Sequence, residues 1–116
     1  MVKQTGRQQS VAARKGIPPG AESSSGPYAV AKAGIMALTR QLSLELGPYG
    51  VRVNALSPAG VSAGQDEDFR RKYTARIPLG RMAEGRDLVG PLLFLASDAS
   101  SYVTGHELRV NGGFTA

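Results

Sequence analysis

Within PYAVAKAG, residues 27–34, Tyr28 and Lys32 stand four apart with only Ala29, Val30 and Ala31 between them. In a helix, residues i and i+4 share a face, with Cβ atoms about 5 to 6 Å apart. An ordinary tyrosine has a pKa of about 10 and is a poor base at neutral pH. A fixed cation beside it favours the phenolate and lowers that value. The pair therefore suits a phenol that takes or gives a proton near neutrality. Ordinary helices produce the same spacing by chance, so its weight comes from the surroundings.

Those surroundings are helical. Ala31, Ile35, Leu38, Leu42 and Leu46 recur at steps of four, three, four and four, a stripe that predicts a helix over 28–46. Pro27 suits its first turn, and GPYG at 47–50 ends it. VRVNALS, residues 51–57, reads as a strand. PAGVSAG is a loop, and EDFRRKYTAR predicts a short helix with Phe69 and Tyr73 on one face. Leu88, Val89, Leu92, Leu93 and Ala96 define a wide apolar face on a further helix, and HELRVNGG holds a last strand around Leu108 and Val110. Two strands joined by a helical crossover argue an α/β fold with a parallel sheet. Residues 1–26, with KGIPPGAESSSGP, read as an irregular N-terminal segment ahead of 27–116, the two together forming a single partial domain.

Composition narrows the function classes. Zero cysteines exclude disulfides, thiol catalysis and cysteine-ligated metals. His106, the only histidine, has no second soft ligand for a metal site and reads as a surface residue. The net charge of +5 is spread among acids, as in DEDFRRKYTAR, without a basic stripe interleaved with aromatics, so nucleic-acid binding is not expected. No apolar run approaches a membrane span and no apolar signal segment opens the chain, so a cytoplasmic location is expected.

Several separated segments, in order, closely resemble the short-chain dehydrogenase/reductase family: YAVAKAGIMALTRQLSLELGPYGVRVNALSPAGV, then IPLGRM, DLVGPLLFLASDASSYVTG and HELRVNGG. The resemblance implies the C-terminal portion of a doubly wound, Rossmann-like parallel sheet. It also implies hydride transfer between NAD or NADP and a small-molecule alcohol or carbonyl. Tyr28 would be the acid/base, and Lys32 would lower its pKa and bond the nicotinamide ribose. The family's substrate-bonding serine usually precedes the tyrosine by 13 positions, where this chain has Lys15. SVAARKG points instead to Ser10, while Ser23, Ser24 and Ser25 are nearer in sequence. Pro58, Gly60 and Val61 match the turn that passes the nicotinamide, with Ala59 where glycine is common and Ala63 where a threonine often stands. Asn54 reads as a structural residue of the strand. The resemblance further implies oligomers built on the helices and last strand, by self-association or with a full-length relative.

The glycine-rich phosphate turn of a dinucleotide-binding fold has no counterpart: Gly16, Gly20 and Gly26 follow no buried strand and are interrupted by prolines. The chain is expected to be an incomplete family member. Either it carries the family's oxidoreductase chemistry in truncated form, or it is a catalytically inactive remnant or oligomerisation partner that binds no dinucleotide.

Overall fold

The computed structural model describes residues 25–116. Helix α1 spans Ser25–Leu46. It starts two residues ahead of Pro27, so the last two positions of the segment read as irregular belong to its first turn. A 3-10 turn, Gly47–Tyr49, closes it, and Gly50 reverses the chain at a φ of 72°, its N–H donating to the Gly47 carbonyl. The inward face of α1 is rotated from the expected stripe. Met36 and Thr39 are buried, Lys32, Ile35, Leu42 and Leu46 are half-buried, and Leu38 is exposed. Thr39 is tolerated there because its hydroxyl donates back to the Ile35 carbonyl at 2.7 Å.

Strand β1 is Ala55–Pro58 and β2 is Glu107–Val110; they pair in parallel, Ala55 opposite Glu107 and Pro58 opposite Val110. Helix α2 (Glu67–Thr74) and helix α3 (Gly85–Ala96) lie between them in sequence. The α/β class with a parallel sheet and helical crossover is thus as the sequence implies, with two strands among the described residues.

The first strand is shorter than the 51–57 read from alternation. Its partner strand begins only at Glu107, after Gly105 turns the chain at a φ of 69°. Along 51–54, side chains supply much of the pairing. The Val53 N–H donates to Thr104 Oγ1, and Asn54 bridges the Val103 carbonyl and the His106 N–H. At the other end the ladder runs on to Pro58, which the sequence reading placed in a loop.

Helix α3 also faces differently from expectation. Leu95 is its buried residue, with Leu88 and Pro91 half-buried, while Val89, Leu92 and Leu93 are exposed. A helix apolar all round cannot be oriented by periodicity, and contact with the sheet chose the Leu88–Pro91–Leu95 edge. Beyond the strand ends, Ile77, Met82 and Phe114 form a buried cluster with Tyr73 packed against it.

Candidate active site

The backbone brings three elements to one end of the sheet. Ser43 of α1 packs under Gly105, where an added Cβ would come within 2.7 Å of its hydroxyl. Nearer the helix N-terminus, Met36 and Arg40 line a cleft with His106–Arg109. Helix α1 therefore runs antiparallel to the strands, and its early turns approach their carboxyl ends. At about 1.5 Å per helical residue and 3.3 Å per strand residue, Lys32 lies near the level of Pro58 and Val110. Tyr28 lies one turn earlier in α1, so the two positions share a helical face. Ser10 lies outside the described residues, and so do Ser23 and Ser24.

At that same end the chain leaves β1 through Ala59, Gly60 and Val61. The Ala59 N–H donates to the Val110 carbonyl at 3.2 Å. Gly60 takes a left-handed φ of 66°, so the turn glycine sits one place after Ala59. The Gly60 carbonyl accepts from the Ala83 N–H at 2.8 Å, and Val61 pairs with Ala83 in an isolated parallel bridge. Gln65 closes the loop from the far side: its Nε2 donates to the Val61 carbonyl at 3.1 Å and its Oε1 accepts from the Ala63 N–H at 2.8 Å. Pro58, Gly60 and Val61 therefore occupy a pinned turn at the carboxyl ends of parallel strands, where α/β sheets characteristically bind ligands.

Three features around this turn were not singled out from sequence as site residues. Tyr73 of α2 lies with its ring on Gly60, whose added Cβ would meet Tyr73 Cε1 at 2.7 Å. Burial raises the Tyr73 pKa from its ordinary value, while the nearby Gly60 backbone and Arg76 oppose that rise. Arg81 forms a two-pronged pair with Asp87 at 2.7 and 2.8 Å on the wall of a cleft of about 170 Å³ that Ala59, Ile77, Asn111 and Gly112 also line. The Arg81 guanidinium and the Glu84 N–H hold the Asp87 carboxyl well below its ordinary range. Gln65 carries no sequence signal beyond its place in a polar loop.

Asn54 is structural, as read: it is 1% exposed and satisfied by backbone on both sides. Among the described residues no group of three acidic, histidine or cysteine side chains gathers for a metal. None of the described helices is long and apolar enough to cross a membrane.

A nicotinamide cofactor can be tested against this geometry. The Val61 carbonyl is taken by Gln65, whereas its N–H has no hydrogen bond among the described residues and lies beside the glycine turn. A free backbone N–H on such a turn fits the carboxamide of a nicotinamide.

The fold defines a class, the carboxyl half of a doubly wound α/β sheet, and comparison with known proteins narrows it. Residues 8–115 match the family model described as enoyl-(acyl carrier protein) reductase. The L-rhamnose 1-dehydrogenase (NAD(P)(+)) of Azotobacter vinelandii is 44% identical over 92 residues, covering 74% of this chain and 36% of the relative. The 3-oxoacyl-[acyl-carrier-protein] reductase of Aquifex aeolicus is 39% identical over 90 residues, with the same two shares. Among solved structures, a short-chain dehydrogenase from Leptospira borgpetersenii with bound NAD+ superposes with a TM-score of 0.84 at 38% identity, covering 99% of this chain and 44% of that one. The chain belongs to the short-chain dehydrogenase/reductase family and spans about a third of the length of these curated relatives.

Proposed function

We propose that this chain carries the proton-transfer half of an NAD(P)-linked alcohol/carbonyl oxidoreductase, with Tyr28 as acid/base. The observation that supports the reading is the pinned Pro58–Val61 turn at the carboxyl ends of the parallel strands, with the Val61 N–H left without a hydrogen bond among the described residues. In the oxidative direction the Tyr28 phenolate takes the hydroxyl proton of a small alcohol; in reverse the phenol gives it to a carbonyl oxygen. Lys32 favours the phenolate by its charge and reaches the nicotinamide ribose. Val61 offers its N–H to the carboxamide, on a turn that Pro58 and Gly60 shape. Ser10 holds the substrate oxygen. The cofactor, NAD or NADP, accepts or supplies the hydride when bound. Named relatives of this chain act on sugars, sugar alcohols and hydroxycyclohexanecarboxylates, which supports a small hydroxylated substrate. A cytoplasmic location belongs to the same reading.

A thermal melt with and without NADH and NADPH tests it. A transition raised by one nucleotide, and turnover lost in Tyr28→Phe, is the expected result, because a ligand that binds only the folded state stabilises it. A melt indifferent to both nucleotides would sink the catalytic reading for the isolated chain.

A second reading is supported by the surface. Val89, Leu92 and Leu93 of α3, with Val30, Leu38 and Leu44 of α1, are exposed apolar residues. They suit a chain that associates with itself or with a full-length relative without binding a dinucleotide.

A further inference from the structure

Helix α2 is held to the rest of the molecule by very little. None of its residues is buried, and only Tyr73 and Thr74 are half-buried. Its attachment is aromatic. Phe69 stacks on Tyr73 with ring centroids 5.5 Å apart, and Tyr73 stacks on Phe114 at 4.9 Å with the planes 8° from parallel. Arg76 caps the far side of this ladder, its guanidinium carbon 5.4 Å from the Phe114 centroid. The middle ring lies over Gly60, where only a hydrogen leaves room, and Ile77 closes on the same spot, 3.1 Å from where a Cβ would be.

The turn is thus gripped from two sides. Ala83 grips it through backbone: its N–H donates to the Gly60 carbonyl, and its own carbonyl accepts from the Ser62 N–H, both at 2.8 Å. Tyr73 grips it through its ring face, which packs directly on Gly60. Stacked rings of this geometry contribute beyond the area they bury. Lying 13 residues after Gly60 in sequence, Tyr73 ties α2 to the turn.

We propose that Tyr73 is a positioning residue that fixes the Gly60–Val61 turn through ring contact, so that α2 and the turn move as one body. Its consequence for catalysis rests on the function proposed above: if Val61 meets the nicotinamide, closure of α2 presents it. The positioning role itself does not depend on a cofactor.

Amide hydrogen exchange by NMR on the whole chain decides it, comparing the native sequence with Tyr73→Phe and Tyr73→Leu. The phenylalanine keeps the ring on Gly60 and is expected to leave exchange unchanged, whereas the leucine removes the ring. In the leucine variant, exchange at Ala83 and Ser62, whose N–H groups hold the turn, is expected to rise about tenfold, the factor one hydrogen bond supplies. Ala55, inside the sheet, is expected to stay unchanged. The leucine variant, losing the stack, is expected to extend the effect to Phe114. Unchanged exchange at Ala83 and Ser62 in the leucine variant would overturn the proposal, because the turn would then hold without the latch. Equal acceleration at Ala55 would overturn it too, since the tyrosine would then serve global stability only. Titration with NADH and NADPH separates the two ideas. If the exchange pattern appears but Val61 responds to neither nucleotide, the positioning role stands and the cofactor reading falls.

Discussion

At the scale of single residues, the side chains that organise the sheet are those that fasten backbone to backbone. Arg52, 8% exposed, sends its guanidinium to the carbonyls of Leu95, Ser97 and Val103 at 3.0 to 3.1 Å. Each of those carbonyls has a second donor. Ser100 Oγ serves Leu95 and Ser97, and Asn54 Nδ2 serves Val103. Arg52→Met is therefore expected to leave no carbonyl bare and to cost about 2 kcal/mol. Asn54→Leu takes away the acceptor of the His106 N–H and a donor to the Val103 carbonyl and is expected to cost about 2 kcal/mol. The double variant strips the Val103 carbonyl of both side-chain donors. Urea unfolding should therefore show it to be worse than the sum by about 1 kcal/mol; simple additivity would mean Val103 finds water instead. Asn54 was legible because a lone asparagine in an apolar strand must satisfy two polar groups. Arg52 was not, because its partners lie 43 to 51 residues away in carbonyls that any sequence would provide. Tyr73 was legible as one face of a helix, but the glycine beneath it was not.

At the scale of elements, helices were legible by period and the end of α1 by GPYG, whereas the Asp66 cap of α2 was not read from sequence. Asp66 caps α2 by accepting from the Phe69 N–H at 2.8 Å, and VNGG makes its turn with Gly112 at a φ of 60° against Ile77. Strand length was not legible, since it depends on where the partner chain enters the sheet. The start of α3 carries a pH prediction. Asp87 reaches back to the Glu84 N–H at 2.7 Å and holds Arg81, and both lower its pKa from the ordinary 3.8. A carboxyl depressed in the folded state stabilises it fully above the unfolded value, and that stability fades as pH falls through the ordinary carboxylate range. Native chain and Asp87→Asn should therefore differ most in melting temperature at about pH 6. The gap should narrow steadily below about pH 4, where the unfolded chain begins to bind the proton. A gap independent of pH would show that the carboxylate's charge contributes nothing and that any loss comes from the geometry of the cap.

At the scale of the whole molecule, the sequence told the fold class but not which helix faces are buried. Both long helices are apolar on more than one side, and within one chain the sheet can cover only one of them. On α3, Leu93 is 61% exposed beside Val89 and Leu92, and on α1 Leu44 is 72% exposed. Clusters of this kind mark contact with another surface more often than they mark chance. The proposed association makes a direct demand on sedimentation. The native chain should sediment as a larger species as its concentration rises, and Leu93→Glu should weaken that association by at least about tenfold, since a carboxylate would be buried without a partner. Because Leu93 lies opposite the buried Leu88–Pro91–Leu95 edge, the variant should keep its helical content. Loss of helix together with loss of association would mean that Leu93 supports the fold of the single chain. A native chain that stays monomeric at every concentration would leave a full-length relative as the partner to test, by mixing the two and looking for a joint species. The same variant discriminates there: if α3 is the shared face, Leu93→Glu removes the joint species, and if α1 is, Leu44→Glu does so while Leu93→Glu leaves it intact.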